Sequence, residues 1–173
     1  MRFVTCTHAD HAGAILGILN EAIAHSTALY DYHPRPPESM AGWFKAKETG
    51  GFPVIGAVGE AGDLMGFATY GTFRAFPAFK YSVEHSVYIH KDHRGRGLGL
   101  ALMRELMAEA ARRQVHTLVG AIDAANAPSI ALHEKLGFSH AGTIRQAGFK
   151  FGRWLDLAFY QLVLQTPESP VDG

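Results

Sequence analysis

Residues 93–99 read HRGRGLG, with three glycines and two arginines in seven positions. The segment lies between an apolar run, SVYI at 86–89, and a stretch from Leu98 whose apolar residues recur at helical spacing. A helix start carries N–H groups without intrahelical partners and the positive end of the helix dipole. Glycines clear the way for a phosphate to approach that backbone, and Arg94 and Arg96 add positive charge. A diphosphate therefore suits the loop physically. The bland alternative is a tight strand-to-helix turn and nothing more. The P-loop pattern fails, because Leu98 rather than Lys follows Gly97. The dinucleotide fingerprint fails as well, because Leu100 stands where its third glycine belongs. What remains is R-x-x-G-x-G, formed by Arg94, Gly97 and Gly99.

Working outward, FVTC at 3–6 has the look of a first strand. Thr7 and Asp10 have the spacing of a helix N-cap, and Ala14, Ile15, Ile18, Leu19, Ala22 and Ile23 then recur at helical spacing until about His25–Ser26. TALYDYHPRPPESM reads as an irregular loop, followed by a short helix around Ser39–Glu48 that Gly50–Gly51 ends. Strands are expected at 53–58, 64–71 and 81–89, the first two joined by a turn at Glu60–Asp63. Beyond the glycine loop, Leu98, Ala101, Leu102, Leu106, Met107 and Ala110 line one helix face. A strand at 117–122, a helix from about Pro128 to Leu136 stopped by Gly137, and strands around 138–145 and 154–164 follow. This order predicts an α/β (α+β) fold with one mixed, mostly antiparallel central sheet and helices on both faces.

The chain has 173 residues, which suits one domain over 1–166 with a loose polar tail over 167–173. Its formal net charge is zero, so no sequence-independent nucleic-acid affinity is expected. No apolar run is long enough to span a bilayer, and the opening has no signal-peptide core. Cys6 is the single cysteine and reads as a buried, inert thiol, which together with the rest points to the cytoplasm. Ten histidines invite a metal reading, but no pair has a helix-face spacing with a carboxylate, and no metal is expected.

Glu84 sits in the middle of an apolar strand, where a carboxylate is unusual. Partial burial there would raise its pKa into a range useful to a base; the competing reading is a carboxylate paired with some cation. Strand alternation places Glu84 with Ser86 and Tyr88 on one face, and Val83, His85 and Val87 on the other.

The chain at this point resembles the GNAT superfamily of N-acetyltransferases, in which R-x-x-G-x-G/A marks the pyrophosphate loop for acetyl-CoA. A second signature of that superfamily, N-x-x-S/A-x-x-L-Y/H-x-K-x-G-F, is matched by NAPSIALHEKLGF at 126–138. STALYDY, YSVEHSVYI and KFGRWLDL further resemble the methionine sulfoximine and phosphinothricin acetyltransferase branch, whose members include L-amino acid N-acyltransferases. TFRAF at 72–76 departs from the branch's W-R-x-F, with Phe73 in place of tryptophan, and IRQAGFKFGRW mixes features of both enzyme types.

The resemblance implies the seven-stranded sheet of that superfamily and a set of site residues. Glu84 becomes the base or a substrate ligand, with His85 and Ser86 beside the substrate. Arg74 becomes a clamp for an α-carboxylate, with Ala75, Phe76 and Tyr30, and with Phe73, around the side-chain pocket. Backbone N–H groups of Val87, Tyr88 and Ile89 would face the thioester and pantetheine, and those of Gly95, Arg96, Gly97, Leu98, Gly99 and Leu100 the pyrophosphate beside Arg94. Asn126 and Ser129 would reach the cofactor, although Asn126 serves equally as a plain helix N-cap. His133 stands where many members carry a tyrosine that donates a proton to the leaving thiolate; a lone helical histidine also has a structural reading. A homodimer is implied as well. The expected activity is acetyl transfer from acetyl-CoA to a small amino acid or analogue, with protein N-terminal acetylation and a non-catalytic acyl-CoA-binding module as the competing readings.

Overall fold

The computed structural model describes residues 1–172. In chain order it runs β1 (Arg2–Thr5), α1 (His8–His25), α2 (Ser39–Thr49), β2 (Val54–Val58), β3 (Leu64–Thr72) and β4 (Ser82–Ile89). After these come α3 (Leu98–Arg112), β5 (Thr117–Asp123), α4 (Ala127–Lys135), β6 (Ser139–Lys150) and β7 (Arg153–Val163). Short 3₁₀ turns occupy Pro77–Phe79 and Lys91–His93. The strands form one seven-stranded sheet in the order β1-β2-β3-β4-β5-β7-β6. Neighbours β1–β2, β2–β3, β5–β7 and β6–β7 are antiparallel, and β4–β5 is parallel, as the mixed pattern in the sequence predicts. The chain divides into two compact units: Met1–Gly71 with Ser86–Leu106, and Thr72–His85 with the chain from Met107 onward.

In the first unit, the apolar stripe of α1 buries Ile15, Ile18, Leu19, Ala22 and Ile23. Full burial contributes about 1.5–3 kcal/mol per large aliphatic side chain, so this stripe outweighs the modest helix propensity of its sequence. Thr7 caps the helix, its Oγ1 accepting from Asp10 N at 3.2 Å. The helix ends where the Ser26 hydroxyl donates back to Ala22 O at 2.8 Å. α1 packs with Met40, Val54, Val58, Leu64 and Phe67 in one core that also encloses Cys6. Gly56 makes room there: a Cβ would sit 2.5 Å from Cys6 Sγ. The loop after α1 is irregular, as expected, yet it is clasped. Arg35 N donates to Asn20 Oδ1 at 2.7 Å and Asn20 Nδ2 donates to Arg35 O at 3.0 Å, so one amide side chain pairs with the loop backbone as a neighbouring strand would. Gly66 allows β4 to come close, since a Cβ there would meet Tyr88 O at 2.8 Å.

In the second unit, the parallel β4–β5 ladder runs over Ser82↔Thr117, Val83↔Leu118 and Glu84↔Val119. β5 then pairs with β7 along its whole length, from Thr117↔Val163 to Asp123↔Leu157. Asn126 caps α4 through Oδ1, which accepts from Ser129 N at 3.2 Å, and Gly137 leaves the helix at φ +88°. β6 continues to Lys150, past the expected end near 145. The reason is a bulge: Gln146 takes φ +51°, its N–H donates to Asp156 Oδ1 at 2.8 Å, and pairing resumes at Gly148↔Leu155. Phe151 and Gly152 then turn the hairpin with positive φ at both positions. From Pro167 to Asp172 there is no helix or strand, and Val171 N donates to the Tyr81 hydroxyl at 3.2 Å. Gly173, the last residue of the expected tail, lies outside the described residues.

Candidate active site

The glycine loop belongs to the first unit. Gly95 and Gly97 hold φ +76° and +75°, the left-handed region that side chains disfavour. A Cβ at either would meet nothing within 4 Å, so the backbone conformation, not crowding, requires glycine. The first i→i−4 bond of α3 is Ala101 N to Gly97 O, which places the N–H groups of Leu98, Gly99 and Leu100 in the turn that lacks such partners. The loop is thus open, glycine-shaped and capped by a helix start, and it fits an anion such as a pyrophosphate. Arg96 is exposed. Arg94 is already engaged: its guanidinium pairs with the Glu21 carboxylate of α1, and its Nε donates to Ile89 O at 3.2 Å. Its positive charge stands at the loop while its side chain ties α1 to the end of β4. Val87, Tyr88 and Ile89, on that same strand, are half-buried, and Tyr88 packs on Phe67 with ring centroids 5.5 Å apart.

The second unit carries Glu84 and Arg74. Glu84 is half-buried, and burial pushes its pKa above the usual carboxylate value while the Arg74 charge pulls it partly back. Arg74 is exposed on the β3–β4 connection, its guanidinium 4.7 Å from the Phe73 ring centroid and its Nη1 donating to Phe73 O at 3.4 Å. Ala75 and Phe76 follow on the same exposed loop, Phe76 at 73% exposure. Phe73 packs edge-on to Phe79 at 5.9 Å. Tyr30, on the clasped loop of the first unit, is 41% exposed. Ser86 continues β4 and is half-buried.

The structure joins two site residues that the sequence reading kept apart. His85 and His133 are both buried, with Nε2 atoms 2.8 Å apart and rings stacked at 5.0 Å. His85 therefore turns its side chain away from the face of Glu84, as alternation requires, and adjoins that face through its backbone alone. Burial lowers the pKa of both imidazoles. His133 Nδ1 lies 2.7 Å from Ser129 O. Gly120 was the available signal: a β-strand glycine marks close approach, and here a Cβ would fall 2.9 Å from His85 Cε1. Also absent from the sequence reading is a cleft of about 390 Å³ lined by Asp123, Gln146, Arg153, Trp154 and Asp156. In it, Arg153 Nη2 donates to the buried Asp123 carboxylate at 2.7 Å. Among the described residues no group of three His, Cys, Asp or Glu side chains could hold a metal ion.

Comparison with known proteins places this geometry. Residues 19–138 match the acetyltransferase (GNAT) family. An L-methionine sulfoximine/L-methionine sulfone acetyltransferase of Pseudomonas paraeruginosa is 43% identical over 155 residues, 90% of each chain. A solved structure from Acinetobacter baylyi is 64% identical, with a TM-score of 0.98 over 99% of this chain and 96% of that one. A phosphinothricin acetyltransferase of Sinorhizobium meliloti, solved in complex with acetyl-CoA, is 33% identical with a TM-score of 0.92, covering 98% of this chain and 91% of that one.

Proposed function

The chain belongs to the GNAT acetyltransferase family, and from that premise we propose that it transfers the acetyl group of acetyl-CoA to the α-amine of a small amino acid or analogue. Methionine sulfone and methionine sulfoximine head the candidates, with phosphinothricin beside them. The observation that carries this reading is Glu84, a half-buried carboxylate of raised pKa that feels the charge of an exposed arginine. A base for the ammonium and a cation for the α-carboxylate are what a zwitterionic substrate asks for. Residues 1–166 act as one catalytic domain in this reading, supported by a family match that runs through both units.

Bound acetyl-CoA supplies an acyl group activated as a thioester. The open loop from Gly95 to Leu100 would hold its pyrophosphate, Arg94 lending charge, with Asn126 and Ser129 as further contacts. N–H groups of Val87, Tyr88 and Ile89 would donate to the oxygen that gains charge as the amine attacks. Arg74 grips the carboxylate in a bidentate pair, and Phe73, Ala75, Phe76, Tyr30 and Ser86 border the side chain. Glu84 takes a proton from the ammonium, directly or through water, and its raised pKa brings it closer to the amine it must serve. His133, the thiolate's proton donor by resemblance, has both ring nitrogens engaged inside the fold. It delivers that proton only if its ring exchanges the His85 bond for one to sulphur.

The same reading places the enzyme in the cytoplasm, where acetyl-CoA is available, and makes resistance to toxic amino-acid analogues its use. It also makes the protein a homodimer, supported by Phe149, Phe151 and Trp154, which stand exposed on the β6–β7 hairpin. Sedimentation should return twice the 18.8 kDa of the chain, and a monomer would remove this part. The central test is release of CoA thiol with methionine sulfone, methionine sulfoximine, phosphinothricin, ordinary amino acids and N-terminal peptides as acceptors. Turnover with the free amino acids supports the proposal, whereas turnover with peptides alone, or with none, overturns it.

A further inference from the structure

Four observations converge on the buried histidine pair. A carbonyl oxygen can only accept, so the 2.7 Å approach of His133 Nδ1 to Ser129 O puts a proton on Nδ1. In the neutral ring Nε2 is then a bare lone pair, and its 2.8 Å contact with His85 Nε2 requires the proton there to be His85's. Second, His85 Nδ1 makes no hydrogen bond of ordinary geometry among the described residues, although the Val119 backbone acts on the ring, so the 2.8 Å contact with His133 is the one well-formed bond of that imidazole. Third, the rings are boxed: Phe138 lies 5.1 Å from each, and a Cβ on Gly120 would press both His85 Cε1 (2.9 Å) and His133 Nε2 (3.1 Å). Fourth, the β4–β5 ladder closes at Glu84↔Val119, immediately before His85. At the residue after Glu84 the strand gains a side-chain bond to α4.

We propose that His85 is a positioning residue for the acetyl transfer: by donating Nε2–H to His133 it pins β4 to α4 and so fixes the setting of Glu84. His85 itself trades no proton with substrate; its bond to His133 is a fastening. This rests on Glu84 being the reacting carboxylate. Asparagine or leucine at 85 could not reach as a donor, whereas glutamine carries an N–H near the place of Nε2.

The experiment is a variant set on the full chain, read by kcat, by KM for each substrate and by melting temperature. Leaving His133 Nε2 buried without its donor, His85→Leu should lower kcat roughly tenfold with little change in KM for acetyl-CoA. His85→Gln should regain most of that loss. Gly120→Ala, which touches neither histidine chemically, should lower kcat in the same way by wedging the rings. Replacing both partners by apolar groups is far less costly to the fold than orphaning one, so His85→Leu/His133→Phe should melt higher than His85→Leu. In the unaltered protein, ¹⁵N shifts should show His133 as the Nδ1–H tautomer and His85 as the Nε2–H tautomer. Unchanged kcat in His85→Leu, a double variant that melts no higher than His85→Leu, or an Nε2–H tautomer at His133 each overturns the proposal. The ¹⁵N spectrum and Gly120→Ala decide the matter should His85→Leu fail to fold. Glu84→Gln, run alongside, separates the two ways of being wrong. Full turnover in Glu84→Gln sinks the assignment of Glu84 and this proposal with it; its loss, with full turnover in His85→Leu, sinks this proposal alone.

Discussion

At residues 95–100 the site is made of backbone: two glycines in a left-handed conformation, open space where their side chains would be, and a helix start. At residues 73–86 it is made of side chains: a half-buried carboxylate, an exposed guanidinium over an aromatic ring, and an exposed phenylalanine. The first kind of site is stamped on the sequence, because its left-handed backbone favours glycine and one of those glycines, Gly97, belongs to the R-x-x-G-x-G pattern. The second kind depends on environment. Glutamate and arginine occur everywhere, and what sets Glu84 apart is the burial that raises its pKa. A backbone site names its ligand by pattern, while a side-chain site names it only once the surroundings are known.

Substitution can sharpen or break that contrast. The largest effect is expected at Glu84: Glu84→Gln should cut kcat by about 10²- to 10⁴-fold, the usual range for a lost general base, with KM for acetyl-CoA much less affected. It should also melt higher than the unaltered protein at pH 8. The sign follows from linkage. Because folding raises the Glu84 pKa, the folded state holds the proton more tightly, so stability rises as pH falls through the folded pKa and is lost as pH rises through it. Equal melting temperatures across that window would mean that burial does not penalise the carboxylate. Next comes Gly97→Val. Forcing a β-branched residue to φ +75° costs about 1–3 kcal/mol, so the loop should leave its present path and acetyl-CoA affinity by calorimetry should fall roughly five- to hundredfold. Normal affinity would break the backbone half of the comparison. Arg74→Ala should raise KM for the amino acid roughly tenfold, the low end for a charged hydrogen bond at an exposed site, and Arg74→Lys should recover part of it. Asn126→Ala should be smallest, lowering stability by about 1 kcal/mol in urea unfolding through loss of the α4 cap. An accompanying rise in KM for acetyl-CoA would add a cofactor contact to the capping role.

What was legible in the sequence follows the same division. Periodicity placed α1 and α3, and Thr7, Asn126 and Gly137 marked helix ends, because these signals are local. The extension of β6 to Lys150 was not legible, since the bulge at Gln146 is held by Asp156 of the next strand. The pairing of His85 with His133 was hidden for the same reason. Their residue types carry no spacing that announces a contact between a strand and a helix, and Gly120, which makes the room, signals a close approach without naming what approaches. Arg94 shows the limit of motif reading: the pattern assigned it to a phosphate, and the fold also gives it Glu21 as a partner.

Cys6 has a practical consequence. It is the only cysteine of the chain, it lies in the core of the first unit, and burial pushes its thiol up to about 12. A chromogenic disulfide reagent added to follow CoA release therefore reads the product with almost no background from the folded enzyme. For the same reason, one cysteine introduced at Tyr32, which is 68% exposed, would be the sole fast-reacting label on the protein. A dye placed there would report on the surroundings of the aromatic loop.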